Sequence, residues 1–404
     1  MSFINRLWYK DPNLFTYAVE LPLLSLSWIF GMAVSLRRLL YTLGVFKSSA
    51  PGVPVVVVGG ITVGGSGKTP LCIAVLKELK RQGFRPALLS RGYKGHASAY
   101  PLFVEEDTDA SCCGDEPLLI KLALGKDALV AVDPRRTRGA FALAQKGADI
   151  IVCDDGLQHY ALERDVEIVV VDSARLLGNR KLLPAGPLRE QPSRLKTVDA
   201  VVCNGGGVLH TGNYGMKLKP GLPQALGSSG TRLQPPEAVC AMAGIGNPER
   251  FYATLKASGF KIAECLKVPD HGRVEEKVLQ AAASRYPVVM TAKDAVKYHG
   301  CTVPNLFVLE VEAQLSSFFY ATLMTCIRNS TVRVKSRRLA AGNNGPARKK
   351  QNKNQDTPKT GDKSPDKTPD KTPDKTPDKT TDKTTDKTMD KTLDHNQNNP
   401  QNRQ

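Results

Sequence analysis

No two of the nine cysteines are spaced C-x-x-C, and their number is odd. A disulfide framework and the usual zinc patterns are therefore missing, which points to a reducing compartment and no structural metal. No apolar run reaches the roughly 20 residues of a comfortable membrane span. The run near the N-terminus, Leu21–Leu36 (LPLLSLSWIFGMAVSL), has about 16 and ends at Arg37-Arg38. It has neither a basic segment immediately before it nor an A-x-A cleavage site after it, which speaks against a cleaved signal peptide. Aromatics make up only 6% of the chain, and none interrupts the basic stretch Arg333–Lys353. The stacking platform of a nucleic-acid binder is absent there, so no nucleic-acid partner is expected. A guanine-reading N-K-x-D is also lacking, because Thr291-Ala292-Lys293-Asp294 carries its lysine one place late. That disfavours a GTP switch.

What the sequence has is a 41% hydrophobic share, enough for a sizeable core, and a net charge of +17. Eight of the basic residues sit between Thr331 and Lys353, where no acid occurs. From Asp362 to Leu393 follow eight tetrads of the form Asp-Lys-Ser/Thr-x, with nothing to bury; this tail is expected to be disordered. At the other end, Trp8, Tyr9, Tyr17 and Trp28 are aromatics of the kind found at lipid headgroups. The apolar run there reads either as a buried core helix or as a shallow or marginally spanning membrane helix.

Between these ends, strand and helix patterns alternate. Val53–Val58 is continuously apolar, as in a strand buried on both faces, and a helical stretch follows from Thr69 to Gln82. Further strands are expected at Ala87–Ser90, Ala128–Val132, Ile150–Cys153, Glu167–Asp172 and Ala200–Cys203. The expected fold is α/β: a P-loop NTPase-like, doubly wound, mostly parallel sheet, a second smaller α/β domain and a disordered C-terminal tail. The expected divisions are a membrane-associated helical segment (1–47), a kinase-like core (48–215), the smaller domain (216–330) and the basic, then low-complexity tail (331–404). Residues 205–236, rich in Gly, Pro and Ser, read as a linker.

The strongest local signal is Thr62-Val63-Gly64-Gly65-Ser66-Gly67-Lys68-Thr69, between a strand and a helix. Glycines permit backbone N–H groups to curl around phosphate oxygens, Lys68 reaches the outer phosphates, and the Thr69 hydroxyl suits Mg²⁺. Asp154 and Asp155 end a core strand, where such a protein needs an acid for Mg²⁺. Gln158 and His159 follow on the same rim. Taken alone, Asp115-Glu116 reads as a helix start, and His271 as a loop histidine.

These motifs, with Ser90-Arg91-Gly92-Tyr93, Leu183-Pro184-Ala185-Gly186-Pro187-Leu188-Arg189-Glu190, Gly244-Ile245-Gly246-Asn247-Pro248 and Thr291–Lys297, occur in an order that closely resembles the tetraacyldisaccharide 4'-kinase family, the lipid A 4'-kinases. The resemblance runs from about Trp8 to Glu312. It implies ATP- and Mg²⁺-dependent phosphorylation of the 4'-hydroxyl of a tetraacylated glucosamine disaccharide 1-phosphate. The acylated substrate would be met at the lipid surface, on the cytoplasmic face of the bacterial inner membrane. By the same resemblance Asp115 is the base, His271 its orienting partner, and Lys68 and Thr69 hold ATP and Mg²⁺. Asp154 and Asp155 bind metal or organise the site, and Arg91, Glu116, Arg136, Gln158 and His159 line the substrate or phosphate pocket. Gly60, Lys94, Ala292 and Gly272 depart from the family's usual residues; none is a proposed catalytic group.

Overall fold

The computed structural model describes residues 3–9, 14–206, 213–227, 230–245, 247–268 and 272–343; the Asp-Lys-Thr repeats and His271 lie outside the described residues. The N-terminal segment forms α1 (Phe3–Tyr9) and α2 (Leu14–Thr42). With 29 residues, α2 is much longer than the apolar run from which it was read. Its Val19–Thr42 part is long and apolar enough to cross a membrane, yet only 11% of its apolar window is buried. The buried positions are Glu20, Ser27 and Gly31, spaced as one seam of a helix. Leu21, Leu26, Trp28, Ile29, Met32 and Leu36 are exposed on the other face. A core helix buries its apolar side. This one buries its polar side, so the core-helix reading fails.

The first strand, β1 (Val55–Gly59), is buried at every position because helices cover both faces of its sheet. Val56 and Val58 pack with Leu71, Val75 and Leu79 of α3 (Lys68–Arg81), while Val55 and Val57 belong to the opposite core. The chain continues through β2 (Pro86–Ser90), β3 (Leu102–Phe103), α4 (Ala110–Cys113), α5 (Asp115–Leu124) and β4 (Leu129–Val132). Then come α6 (Arg136–Gln145), β5 (Ile150–Asp154), β6 (Val166–Asp172), β7 (Ala200–Asn204) and β8 (Tyr214–Pro220). Ala140 and Leu143 of α6 fill the core beneath Val55 and Val57.

A second sheet is built from β9 (Gln224–Ala225), β10 (Ala238–Ala243), β11 (Lys261–Lys267), β12 (Val288–Thr291) and β13 (Leu306–Leu309), in the order β11-β10-β12-β13-β9. It is parallel except at β9. Its helices are α7 (Pro248–Ala257), α8 (Glu276–Ala283) and the short α9 (Ala292–Ala295). The chain then returns to the first sheet. There β14 (Val311–Leu315) pairs antiparallel with β8, and α10 (Ser317–Asn343) places Phe319, Leu323 and Ile327 in the first core.

The first sheet thus has nine strands in the order β14-β8-β7-β6-β1-β5-β2-β4-β3, antiparallel only at its two edges. The mostly parallel α/β architecture with a smaller α/β unit is as expected. Two segments differ. The supposed linker carries β8, which pairs with β7 before it and β14 much later, and β9, which pairs with β13. Helix α10 runs on to Asn343, into the stretch read as basic tail. Because β1 lies between β5 and β6, the crossovers diverge on either side of it. An open parallel sheet places its ligand site at that switch, beyond the carboxyl ends of the strands.

Candidate active site

The phosphate loop fills the gap between β1 and α3. Gly64 and Gly67 adopt φ of +102° and +94°, a region open to glycine. A Cβ at Gly67 would lie 2.4 Å from Asn204 Nδ2. That amide, at the tip of β7, donates to the Ser66 carbonyl at 3.0 Å and holds the loop's turn into α3. Gly67→Ala is therefore expected to cost about 1–3 kcal/mol through strain and clash, read as a lowered thermal unfolding midpoint. Gly65 faces open space. The buried Ser66 Oγ has no hydrogen-bond partner among the described residues. An orphaned hydroxyl inside a glycine-lined loop suits an anionic oxygen.

Residues 187–189 pin the loop from outside. Val63 N donates to Pro187 O at 2.9 Å, Arg189 N donates to Ile61 O at 2.7 Å, and Thr62 bridges Leu188. Gln158, after β5, donates its amide to Glu190 at 2.6 Å and to the Gly60 carbonyl at 3.4 Å. Tyr160 also donates to Glu190, at 2.8 Å. The two most family-specific strings are thus interlocked around the loop.

Asp154 and Asp155 stand at the tip of β5. Asp155 has φ of +46°. Lys68 Nζ is 3.7 Å from its Oδ1, and Arg189 Nη1 is 2.9 Å from its Oδ2. Burial pushes the Asp155 carboxyl up, but Lys68, Arg189 and Arg136 outweigh it and hold the group below the ordinary carboxylate range. Asp154 is raised instead, first by burial, then by the charges of Glu116 and Asp155, against Lys68 and Arg136. Arg136, buried, donates to Cys153 Sγ at 2.6 Å and reaches the Asp155 carbonyl at 3.5 Å. Burial and the nearby Arg136, Arg164, Arg37 and Arg91 lower His159 to about 4. It is neutral at pH 7, able to accept or donate a hydrogen bond but not to carry charge.

The second acidic pair opens α5 across the rim. Its placement depends on glycine-to-backbone packing: a Cβ at Gly114 would meet Tyr93 O at 2.8 Å, and one at Gly95 would meet Cys112 O at 2.7 Å. The turn after β2, with exposed Arg91, is thereby held against the start of α5. Glu116 pairs with Lys293 at 3.0 Å. Asp115 Oδ2 is 3.9 Å from Lys297 Nζ, which also donates to Asp294 at 3.0 Å and to the Gly272 carbonyl at 3.1 Å. Asp294, fully buried, accepts from Gly244 N at 2.9 Å and Thr291 Oγ1 at 2.6 Å. The Gly244 and Thr291–Lys297 motifs therefore form one bracket that carries a cation to Asp115.

Four residues that brace the site are not singled out by the sequence reading: Arg189, Asn204, Arg250 and Lys297. Arg250 of α7 reaches Asp172 and Asn204, both at 3.1 Å, and joins the smaller unit to the strand tips beside the loop. Arg189 and Lys297 lay inside quoted motifs, and Asn204 ends an apolar strand; that was their only signal.

Among the described residues no cluster of three His, Cys, Asp or Glu side chains could hold a metal alone. The charge pattern nevertheless fits Mg²⁺, which keeps few protein ligands and shares the rest with phosphate and water. Asp154, raised to about 7 by burial and the charges of Glu116 and Asp155, is a carboxyl whose ionised form a divalent cation would favour.

The family model described as LpxK, tetraacyldisaccharide-1-P 4'-kinase, matches residues 19–328. The 2.2 Å crystal structure of LpxK from Aquifex aeolicus in complex with ATP is 28% identical, with a TM-score of 0.65. The match covers 78% of this chain and 99% of that one. The MinC:MinD cell division complex of Aquifex aeolicus matches 38% of this chain and 69% of that chain at 14% identity and a TM-score of 0.22, too slight to bear on fold or function. With its phosphate loop, acidic strand tips and motif bracket in this arrangement, the chain belongs to the tetraacyldisaccharide-1-P 4'-kinase family.

Proposed function

We propose that the site moves the γ-phosphoryl group of ATP directly, in line, onto the 4'-hydroxyl of tetraacyldisaccharide 1-phosphate, with Asp115 as the base. The supporting observation is a single electrostatic cluster. Lys68 acts on both Asp154 and Asp155, and Glu116 at the start of α5 acts on Asp154. Glu116 therefore lies close to the Asp154–Asp155 strand tip beside the phosphate loop, and Asp115 precedes it at the start of the same helix. Phosphoryl transfer asks mainly for such positioning and for charge neutralisation.

Residues 62–69 cradle the phosphates with backbone N–H groups, and Lys68 neutralises charge on the outer ones. Thr69 with Asp154 or Asp155 would hold Mg²⁺, which when bound offsets the charge of the transferring group. Asp115 takes the sugar hydroxyl's proton, and Lys297 fixes its carboxylate. His271 is assigned by family resemblance as the partner of Asp115. Arg91 and the neutral His159 are free to meet the sugar phosphate, whereas the contacts of Gln158 and Arg136 stabilise the loop and strand tip. Of the division into residues 48–215 and 216–330, β8, β14 and α10 belong with the first unit.

The exposed apolar face of α2 supports attachment to the cytoplasmic face of the inner membrane. Trp28→Glu with Ile29→Glu is expected to reduce co-sedimentation with lipid vesicles at least tenfold, since each exposed large apolar side chain contributes about 1.5–3 kcal/mol when buried in lipid. The kinase reading is tested with full-length protein, γ-labelled ATP and the lipid disaccharide 1-phosphate. Label appearing on the lipid is expected; ATP binding without label transfer would reject it.

A further inference from the structure

The apolar helix and the phosphate loop grip opposite sides of one short segment, residues 179–189. On the helix side, Ser27 is buried although Leu26, Trp28 and Ile29 around it are exposed. Its hydroxyl donates to Leu182 O at 2.7 Å and accepts from Ala185 N at 3.0 Å. One turn on, a Cβ at Gly31 would lie 2.7 Å from Leu182 Cδ1, so the helix approaches closely. Glu20 pairs with Lys181, and the Trp8 indole donates to Pro184 O at 3.2 Å.

On the other side are the contacts of Pro187, Leu188 and Arg189 with Val63, Thr62 and Ile61. Arg189 also holds Asp155. The segment between is closed on itself: Leu183 N donates to Leu188 O at 2.9 Å, Gly186 N to Leu182 O at 2.9 Å, and Leu188 N to Lys181 O at 3.1 Å. Three internal hydrogen bonds thus join the Ser27 contacts to those of residues 61–63 through one close-packed segment.

We infer that residues 179–189 are a rigid coupling between α2 and the phosphate loop, with Ser27 as positioning residue, so that seating α2 on a lipid surface tightens ATP binding. This rests on the kinase reading above. By linkage the effect is reciprocal: if lipid tightens nucleotide binding by some factor, nucleotide tightens lipid binding by the same factor.

The test is nucleotide titration of the full-length protein without lipid acceptor, using a hydrolysis-resistant ATP analogue. It is run with and without vesicles of phosphatidylethanolamine and phosphatidylglycerol. The wild-type dissociation constant is expected to fall about fivefold or more with vesicles, within the usual range of allosteric coupling. Ser27→Ala is expected to lose that dependence while still co-sedimenting with the vesicles, and Ser27→Thr to restore it. In turnover, Ser27→Ala raises KM for ATP and leaves kcat at saturating ATP unchanged. Lys181→Met, altering a more exposed side chain, is the second variant should Ser27→Ala misfold, and it too is expected to weaken the vesicle effect. A wild-type constant unmoved by vesicles, or a Ser27→Ala protein that responds as the wild type does, overturns the coupling and leaves the kinase reading intact. Failure to bind the analogue under any condition overturns both.

Discussion

Asp115→Asn is expected to lower kcat by about 10²–10⁴-fold, the usual contribution of a positioned general base, while nucleotide affinity stays within a few-fold of the wild type. The substitution keeps shape and removes only the charge and the proton-accepting oxygen. Asp115 sits at the first position of α5, after its cap Gly114, so losing the carboxylate's interaction with the helix N-terminus costs only about 0.3–1 kcal/mol. Lys297 remains held by Asp294 and the Gly272 carbonyl, so the bracket of the smaller unit persists. A loss of kcat with normal folding and nucleotide binding is thus specific to the proton-transfer role; it is read by steady-state kinetics beside nucleotide titration. Near-wild-type kcat would remove Asp115 from the chemistry.

The second large effect is at the other side of the rim. Lys68→Met is expected to lower kcat/KM for ATP by about 10²–10³-fold or more, as losing a preorganised charge stabiliser does. Lys68 acts on Asp154 and Asp155 as well as on any phosphate at the loop. Without it Asp154 and Asp155 keep Arg136 and Arg189, and Glu116 keeps Lys293, but the loop loses the cation placed at its mouth. Lys68→Arg is expected to recover little, because a planar fork does not replace a compact ammonium at the mouth of a tight loop. Paired measurements of nucleotide affinity and kcat decide between loss of binding and loss of transition-state stabilisation.

Much of this was legible in the chain. The run Val53–Val58 followed by glycines and a helical pattern identifies β1, the phosphate loop and α3, because a strand buried on both faces leaves a continuous apolar signature. Asp154 and Asp155 could be placed because they end another such run. What escaped detection depends on distant pairing. β8 is short and set among glycines and prolines, and one of its two partners, β14, lies beyond the whole smaller unit. Local pattern therefore reads it as linker. The apolar run stops short of the ends of α2 because Glu20 and Arg37-Arg38 bound it, while the helix continues through them from Leu14 to Thr42. Lys297 lies in the Thr291–Lys297 motif, but its contact with Asp115, like that of Arg250 with Asp172 and Asn204, depends on pairing across the two sheets that no local pattern shows.

The central claim is a direct transfer between ATP held by residues 62–69 and a sugar hydroxyl activated by Asp115. Stereochemistry at phosphorus tests it most directly. With ATP made chiral at the γ-phosphorus by sulfur and oxygen isotopes, a single in-line displacement predicts inversion in the 4'-thiophosphate of the lipid product. Retention would require a covalent phospho-enzyme and would contradict the account.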